Sequence, residues 1–180
     1  MGRLAGLILA KSQSNRLTNK NTLDFHGKPM FLVNTEKCLN IFPSTYVSSD
    51  SMDILKTAEK VGAIPILRTE RLCGDTPNIP VYQHALQVMP NDIEGIVAVQ
   101  ANSPTINSSI IEKVKMLLEE GKNEVMTCHE DHSIYGSVWG IRRKKLENYV
   151  NFYNPQPDIM VIDPSIDIHS ELDFQRALGI

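Results

Sequence analysis

The sequence predicts an α/β fold, a three-layer α/β/α sandwich built around a mostly parallel sheet. Short apolar runs, typical of buried strands, alternate with longer segments that carry helical periodicity and helix-capping residues. The first run, Leu4–Ala10, stops abruptly at Lys11 and is followed by a polar loop, as expected where a buried strand leaves a sheet. The chain has 180 residues, 42% of them apolar and 22% charged, which is enough for one continuous core.

The predicted strands are short and apolar, and most are flanked by turn residues. In chain order they are Leu4–Ala10, Thr45–Ser48, Ala63–Leu67, Gly95–Gln100, Glu124–Cys128, Ser137–Arg142 and Ile159–Ile162. The segments at 124–128 and 137–142 lie too close together for a helical crossover, so we expect an antiparallel element there.

The predicted helices begin and end at recognisable capping residues. Pro29 suits the first turn of a helix, Ser51 and Ser170 suit N-cap positions, and Gly62 and Gly121 suit helix ends. The resulting helices are 28–40, Ser51–Val61, Ile79–Met89, Asn107–Glu120, Arg143–Val150 and Ser170–Leu178.

The composition excludes several classes of partner. A net charge of −3 argues against nucleic acid or an anionic membrane as the binding surface, and no apolar stretch reaches the length of a membrane span. Cys38, Cys73 and Cys128 have no metal-binding or redox spacing, so we expect neutral thiols and a cytoplasmic protein. Without repeats, low-complexity tracts or linkers, residues 1–180 are expected to form one domain.

The loop after the first strand is the strongest functional signal. It carries Lys11, Arg16 and Lys20 among hydroxyl and amide side chains, directly after a buried strand. Open α/β sheets bind ligands at the carboxyl ends of their strands, so this cationic loop favours a phosphate ester over an ordinary solvated loop. The glycines of a Walker A loop or of a dinucleotide fingerprint are missing.

Polar residues also follow three other predicted strands. For each of these segments, the sequence allows either a binding role or a purely structural role. Val47–Asp50 suits either a binding site or simple helix capping. Arg68 with Leu72–Thr76 suits either a nucleotide contact or turn chemistry, and Gln100–Pro104 suits either a polar substrate or a strand-to-helix turn.

Asp167 and His169 fall on one face if their segment is extended. They could share a metal ion, although hard Mg²⁺ prefers oxygen ligands. The alternative is a structural aspartate beside a surface histidine.

Taken together, these segments resemble the acylneuraminate cytidylyltransferase family, which makes CMP-activated sialic acids and has the CMP-Kdo synthetases as close relatives. The resemblance is collinear and covers nearly the whole chain. Its segments are Ile8-Leu9-Ala10-Lys11 with Lys20-Asn21, Gly27-Lys28-Pro29, Val47-Ser48-Ser49-Asp50, Leu67-Arg68 with Asp75-Thr76, Gln100-Ala101-Asn102-Ser103-Pro104, and Asp167-Ile168-His169-Ser170-Glu171-Leu172.

The resemblance implies a nucleotide-diphospho-sugar transferase fold and transfer of CMP from CTP to a sugar acid, with release of pyrophosphate and with Mg²⁺ or Mn²⁺ as cofactor. CTP and the sugar acid would be the partners, and a homodimer is the family habit. The implied roles are catalysis and triphosphate binding by Lys11 and Lys20, nucleotide binding by Ala10, Ser12, Asn21, Arg68, Asp75 and Thr76, sugar binding by Gln100, Asn102 and Ser103, and metal binding by Asp167 and His169.

Three departures from the family pattern leave alternatives open. Lys11 replaces the loop arginine and loses its planar fork, and His169 replaces the second closing aspartate. The excursion that sialic-acid enzymes use for dimerisation and sugar contacts is missing between Cys128 and Ser137, which argues against their domain-exchanged dimer and against sialic acid as substrate. One alternative is a transferase for another nucleotide and acceptor; the other is a catalytically reduced binding or regulatory protein.

Overall fold

A computed structural model describes residues 2–14 and 16–179 of the chain. Its main sheet has seven strands, and two further strands form a small ribbon. In chain order the strands are β1 Arg3–Leu9, β2 Asp24–Phe25, β3 Lys28–Pro29, β4 Thr45–Ser49, β5 Ile64–Leu67, β6 Ile93–Gln100, β7 Glu124–Cys128, β8 Ile134–Arg142 and β9 Ile159–Ile162.

The main sheet is mostly parallel, which confirms the predicted fold class. Its strand order is β5-β4-β1-β6-β8-β7-β9. Strands β1, β4, β5 and β6 pair in parallel, as do β7 and β9. Strand β8 runs antiparallel to both β6 and β7, so the predicted antiparallel element is confirmed. Because β7 is therefore parallel to β6, the carboxyl ends of the parallel strands share one edge of the sheet.

The six predicted helices are all present in the described chain. They are α1 Met30–Ile41, α2 Met52–Lys60, α3 Asn78–Val88, α4 Ser108–Glu119, α5 Arg143–Glu147 and α6 Glu171–Leu178. Two short 3₁₀ turns at Lys20–Thr22 and Glu70–Leu72 were not predicted.

Two predicted helix boundaries and one strand boundary are wrong by more than the usual fraying. Lys28 and Pro29 belong to the β2–β3 ribbon, because His26 and Gly27 adopt positive φ angles of 54° and 87° and form a tight hairpin turn. Helix α5 ends at Glu147, because Asn148 leaves the helical conformation with φ −103° and ψ 14°. Beyond it, Val150 is 86% exposed. Strand β8 begins at Ile134, which pairs with Cys128 across a short hairpin.

Helices cover both faces of the sheet. Along β1, Ile8 belongs to the apolar core under α1, α2 and α4, whereas Leu7 belongs to the core under α3 and α5. Successive side chains of a strand point to opposite faces, so a strand covered on both sides is apolar throughout. This explains the continuous run that begins the sequence. No helix in the described part of the chain is both long and apolar enough to cross a bilayer.

The two border strands of the sheet differ. Strand β5 contains Pro65, which has no backbone N–H to donate. Strand β9 consists of four apolar residues, of which Ile159, Met160 and Ile162 are 38%, 39% and 47% exposed. Neither charge nor proline interrupts this second border.

A buried asparagine in α1 holds the turn that follows β6. The Nδ2 group of Asn34, which is 0% exposed, donates to the backbone oxygens of Gln100 at 2.8 Å and Ser103 at 2.9 Å. Its Oδ1 accepts from Lys37 Nζ at 3.0 Å. The contact fixes the backbone of the 100–103 turn against the first helix.

We expect Asn34→Ala to lower the free energy of unfolding by about 1–3 kcal/mol, because two buried carbonyl oxygens lose their donor. Urea denaturation measures the difference. Asn40→Ala is the matched control, since Asn40 is exposed on the same helix and its loss should change stability by less than about 0.5 kcal/mol. Equal effects of the two substitutions would show that the Asn34 contacts do not hold the turn.

Candidate functional site

A cleft of about 300 Å³ lies at the carboxyl ends of β1, β5 and β6. Its apolar floor comes from the strand ends and from one face of α3, including Leu9 and Tyr82. Most of the predicted site residues line it together: Lys11, Lys20, Asn21, Arg68, Asp75, Thr76, Gln100 and Asn102. Lysines that are nine positions apart in the sequence therefore share one cavity.

The loop that carries these lysines is closed by the side chain of Asn21. Its Nδ2 group donates to the backbone oxygen of Lys11 at 2.9 Å, and Asn21 itself is only 6% exposed. Lys20 Nζ donates to the backbone oxygen of Ile168 at 2.9 Å, which ties the other side of the loop to the segment before α6. The two contacts keep both cations at the mouth of the cleft.

The charges in this loop are close enough to influence each other. Burial lowers the pKa of Lys20, Asp167 opposes this effect, and the neighbouring Arg16 and Lys11 lower the pKa further. Lys11 Nζ also lies 3.6 Å from Asp75 Oδ1 at the exposed rim. Positive charge gathered in a partly desolvated cleft favours an anionic ligand over a neutral one.

Arg68 forms the opposite wall of the cleft. It is 8% exposed; its Nε donates to Ser48 Oγ at 3.1 Å and its Nη2 to the Ser48 backbone oxygen at 2.9 Å. Burial lowers the pKa of Arg68, and the nearby Asp50 carboxylate opposes that shift. The end of β4 thus positions a buried guanidinium at the cleft.

The side chains of Ser48 and Asp50 form hydrogen bonds with other residues of the site and do not cap α2. The N-cap of α2 is Ser51. Asp50 accepts hydrogen bonds from the backbone N–H of Ser12 at 2.7 Å and from its hydroxyl at 3.1 Å. This contact disfavours the predicted nucleotide contact by Ser12, because both of its donors are already used. Ala10 is buried beneath the loop, outside the cleft lining.

At the end of β6, two of the three predicted sugar-binding residues reach the cleft. Gln100 lines it while its Nε2 donates to the Gly136 backbone oxygen at 3.0 Å. Asn102 lines it while its amide donates to Asp167. Ser103 does not reach it: the residue is 0% exposed and its hydroxyl lies 2.7 Å from the hydroxyl of Tyr135.

Asp167 and His169 are neighbours, as the alternation predicted. His169 Nε2 lies 2.6 Å from Asp167 Oδ2, and His169 Nδ1 lies 2.9 Å from Arg16 Nη1. Both ring nitrogens are therefore hydrogen-bonded, which disfavours His169 as a metal ligand, and its metal role stays a prediction. Across residues 2–14 and 16–179, no three His, Cys, Asp or Glu side chains gather in a way that could hold a metal ion.

Some residues that are important to the site were not predicted from the sequence. Asn34 and Tyr135 support the turn after β6 from a helix and from the β7–β8 hairpin. A polar residue inside the apolar stripe of α1 was the available signal for Asn34. Nothing local marks Tyr135, whose partner Ser103 lies 32 positions away.

The fold and the cleft define an α/β protein that presents a cationic, donor-rich site at the carboxyl edge of a parallel sheet. The chain belongs to the cytidylyltransferase family, whose sequence model matches residues 5–165.

Sequence relatives and a solved structure agree with this assignment. The chain is 31% identical over 114 residues to the pseudaminic acid cytidylyltransferase of Campylobacter jejuni, covering 59% of this chain and 49% of that protein. It is 34% identical over 118 residues to the N-acylneuraminate cytidylyltransferase of Escherichia coli, covering 63% of this chain and 28% of that protein. The chain thus spans about half the length, or less, of these relatives.

The solved structure of a CMP:2-keto-3-deoxy-manno-octonic acid synthetase complexed with CTP superimposes with a TM-score of 0.77. The match has 14% identity and covers 98% of this chain and 97% of that one. At this identity the likeness concerns the fold.

The Asn21 contact predicts how the loop responds to substitution. We expect Asn21→Asp to weaken binding of inorganic tripolyphosphate by about tenfold or more, because a carboxylate cannot donate to the Lys11 carbonyl and the loop opens. Isothermal titration calorimetry measures the affinity.

Asn19→Asp is the control, since it adds the same charge in the same loop at an exposed residue with a positive φ of 53° that aspartate tolerates. If both variants weaken binding equally, the effect is one of charge and the closing contact is unimportant.

Proposed function

We propose that this chain is a cytidylyltransferase that transfers CMP from CTP to a hydroxyl group of a sugar acid of the nonulosonate or Kdo type. The acceptor oxygen forms a bond to the α-phosphorus of CTP, the bond to the β-phosphate oxygen breaks, and pyrophosphate leaves while the hydroxyl proton is released. The observation that carries the proposal is the shared cleft of Lys11, Lys20 and Arg68 at the carboxyl edge of the sheet.

The lysines of the closed loop suit the triphosphate. Phosphoryl-type transfers depend mainly on positioning and on neutralising the charge that develops on the phosphate oxygens. Lys11 and Lys20 supply two ammonium groups from a loop that Asn21 holds shut. Their charge stabilises the transition state and the departing pyrophosphate.

The remaining cleft residues suit the nucleoside of CTP on one side and the sugar acid on the other. Arg68, Asp75 and Thr76 line the side formed by β5 and the turn after it, which we assign to the ribose and base. Gln100 and Asn102 line the side formed by β6, which we assign to the sugar acid. The acceptor hydroxyl would then approach the α-phosphate from the β6 side.

Asp167 is the residue that suits a divalent cation. Asn102 donates to one of its oxygens and His169 to the other, and each oxygen keeps a free lone pair. Mg²⁺ is commonly held by one or two carboxylates together with substrate phosphates and water, so one carboxylate beside a triphosphate suffices. When bound, Mg²⁺ or Mn²⁺ would neutralise phosphate charge and polarise the α-phosphate.

We further propose that residues 1–180 act as one catalytic domain in the cytoplasm. The short hairpin between β7 and β8 supports the proposal that the long excursion implied by the family resemblance is missing, so a homodimer would use another surface.

The hydrogen-bonded His169 favours one alternative. A second carboxylate at this position would strengthen a cation site, and its absence suits a chain that binds the nucleotide without catalysing transfer. Pyrophosphate release from CTP with any sugar acid would exclude this alternative.

CTP with Mg²⁺ should raise the melting temperature of the protein by about 5–10 °C at a hundredfold excess over Kd. Lys20→Ala should remove most of the shift, because the triphosphate loses a half-buried cation. Differential scanning fluorimetry measures both effects. Lys60→Ala is the control, since Lys60 is exposed at the end of α2 and outside the cleft. An unchanged melting temperature at millimolar CTP would count against the proposal.

Substrate choice needs a separate measurement. A panel of four nucleoside triphosphates distinguishes CTP from the nucleotides of related transferases. A pyrophosphate-release screen with CTP, Mg²⁺ or Mn²⁺, Kdo and a set of nonulosonates then identifies the acceptor. A stronger response to another nucleotide would keep the fold and the cleft but reject cytidylyl transfer.

A further inference from the structure

Four side chains form a hydrogen-bonded relay that reaches the cleft at Asn102. We define it as the Arg16–His169–Asp167–Asn102 relay. Arg16 Nη1 lies 2.9 Å from His169 Nδ1, and His169 Nε2 lies 2.6 Å from Asp167 Oδ2. Asn102 Nδ2 donates to Asp167 Oδ1. The relay joins the cationic loop to the end of β6 through the segment before α6.

The donors in the relay can be assigned from chemistry alone. A guanidinium has only N–H donors, so His169 Nδ1 must accept the hydrogen bond from Arg16. The ring proton is then on Nε2, which donates to Asp167. Asp167 therefore receives one N–H on each oxygen, from His169 on one side and from Asn102 on the other.

The backbone of His169 is held as firmly as its ring. Its N–H donates to Asp173 Oδ2 at 3.1 Å, and the N–H of Ser170 donates to the same oxygen at 2.9 Å. Ser170 and Asp173 form the capping box of α6. One residue earlier, Ile168 N–H donates to the Asn102 backbone oxygen at 2.9 Å. The helix start thus presents the imidazole at a fixed distance from Asp167.

We propose that His169 is a positioning residue: it orients the Asp167 carboxylate towards a divalent cation and couples that orientation to the cationic loop through Arg16. A carboxylate that accepts one hydrogen bond on each oxygen keeps a defined orientation and one lone pair on each oxygen, which lowers the cost of ordering it around an ion. Arg16 belongs to the same loop as Lys11 and Lys20, so a closed loop and an oriented Asp167 occur together. The inference rests on the proposed function, because it concerns the metal that would accompany CTP.

The test compares His169→Leu with His169→Gln. Leucine removes the donor, whereas the glutamine amide can place an N–H near Nε2 and an oxygen near Arg16. Mn²⁺ is titrated by electron paramagnetic resonance into each variant, with and without saturating CTP. CTP affinity without metal and the melting temperature are measured alongside. His132→Asn is the control, since it removes an imidazole from an exposed hairpin residue whose positive φ of 64° asparagine tolerates.

The expected result is an Mn²⁺ affinity about 10–100-fold weaker for His169→Leu, within about threefold of wild type for His169→Gln, and unchanged for His132→Asn. CTP affinity without metal should change by less than about twofold, because the loop lysines are intact. In turnover, His169→Leu should lose kcat at saturating CTP with little change in KM, and added Mn²⁺ should restore part of the rate.

Equal Mn²⁺ affinities for His169→Leu and wild type would overturn the inference, as would equal losses in the leucine and glutamine variants, which would indicate packing alone. A wild-type protein that binds CTP but no Mn²⁺ would overturn it too, while leaving nucleotide binding intact. Failure of wild-type protein to bind CTP contradicts the proposed function instead. The Mn²⁺ titration with saturating inorganic tripolyphosphate, which supplies the phosphate ligands, then decides the role of His169.

Discussion

The hydrogen bond from the Asn21 side chain to the backbone oxygen of Lys11 is the contact on which the cleft depends. It closes the loop against the mutual repulsion of the cations that the loop carries. Leu17, which packs against the core cluster around Phe25 and Phe174, anchors the middle of the same loop. Since Asn21 is buried, the bond forms away from competing water. The loop is also anchored by Lys20, which donates to the backbone oxygen of Ile168. Ligand binding begins from an organised site and avoids much of the ordering cost.

Polar residues at the strand ends divide into those that face the cleft and those that hold the first group in place. Ser48 supports Arg68, Asp50 holds the backbone of the cationic loop at Ser12, and Asn34 supports the backbone beside Gln100. Buried polar groups need partners, so each residue that reaches the ligand side requires another behind it. A substitution in either group can therefore impair the site.

Much of the fold and part of the site could be predicted from the sequence. Strand and helix periods are local, and the carboxyl ends of parallel strands share an edge, so Lys11, Arg68 and Gln100 could be placed together. The direction in which each short side chain points could not be predicted. Ser12 and Ser103 sit at the correct edge but turn towards Asp50 and Tyr135, and those partners follow from tertiary packing. The role of His169 depends on Arg16, which lies 153 positions away.

The unequal borders of the sheet have a consequence for handling the protein. Pro65 blocks the addition of a strand next to β5. On β9, unpaired backbone donors and acceptors lie beside exposed apolar side chains, so another strand can pair there. Edge-to-edge stacking of molecules at high concentration is therefore easier on the β9 side. A lysine introduced at Met160 would discourage such aggregation at a site remote from the lysines of the cleft, and would give crystallisation and spectroscopy a better-behaved sample.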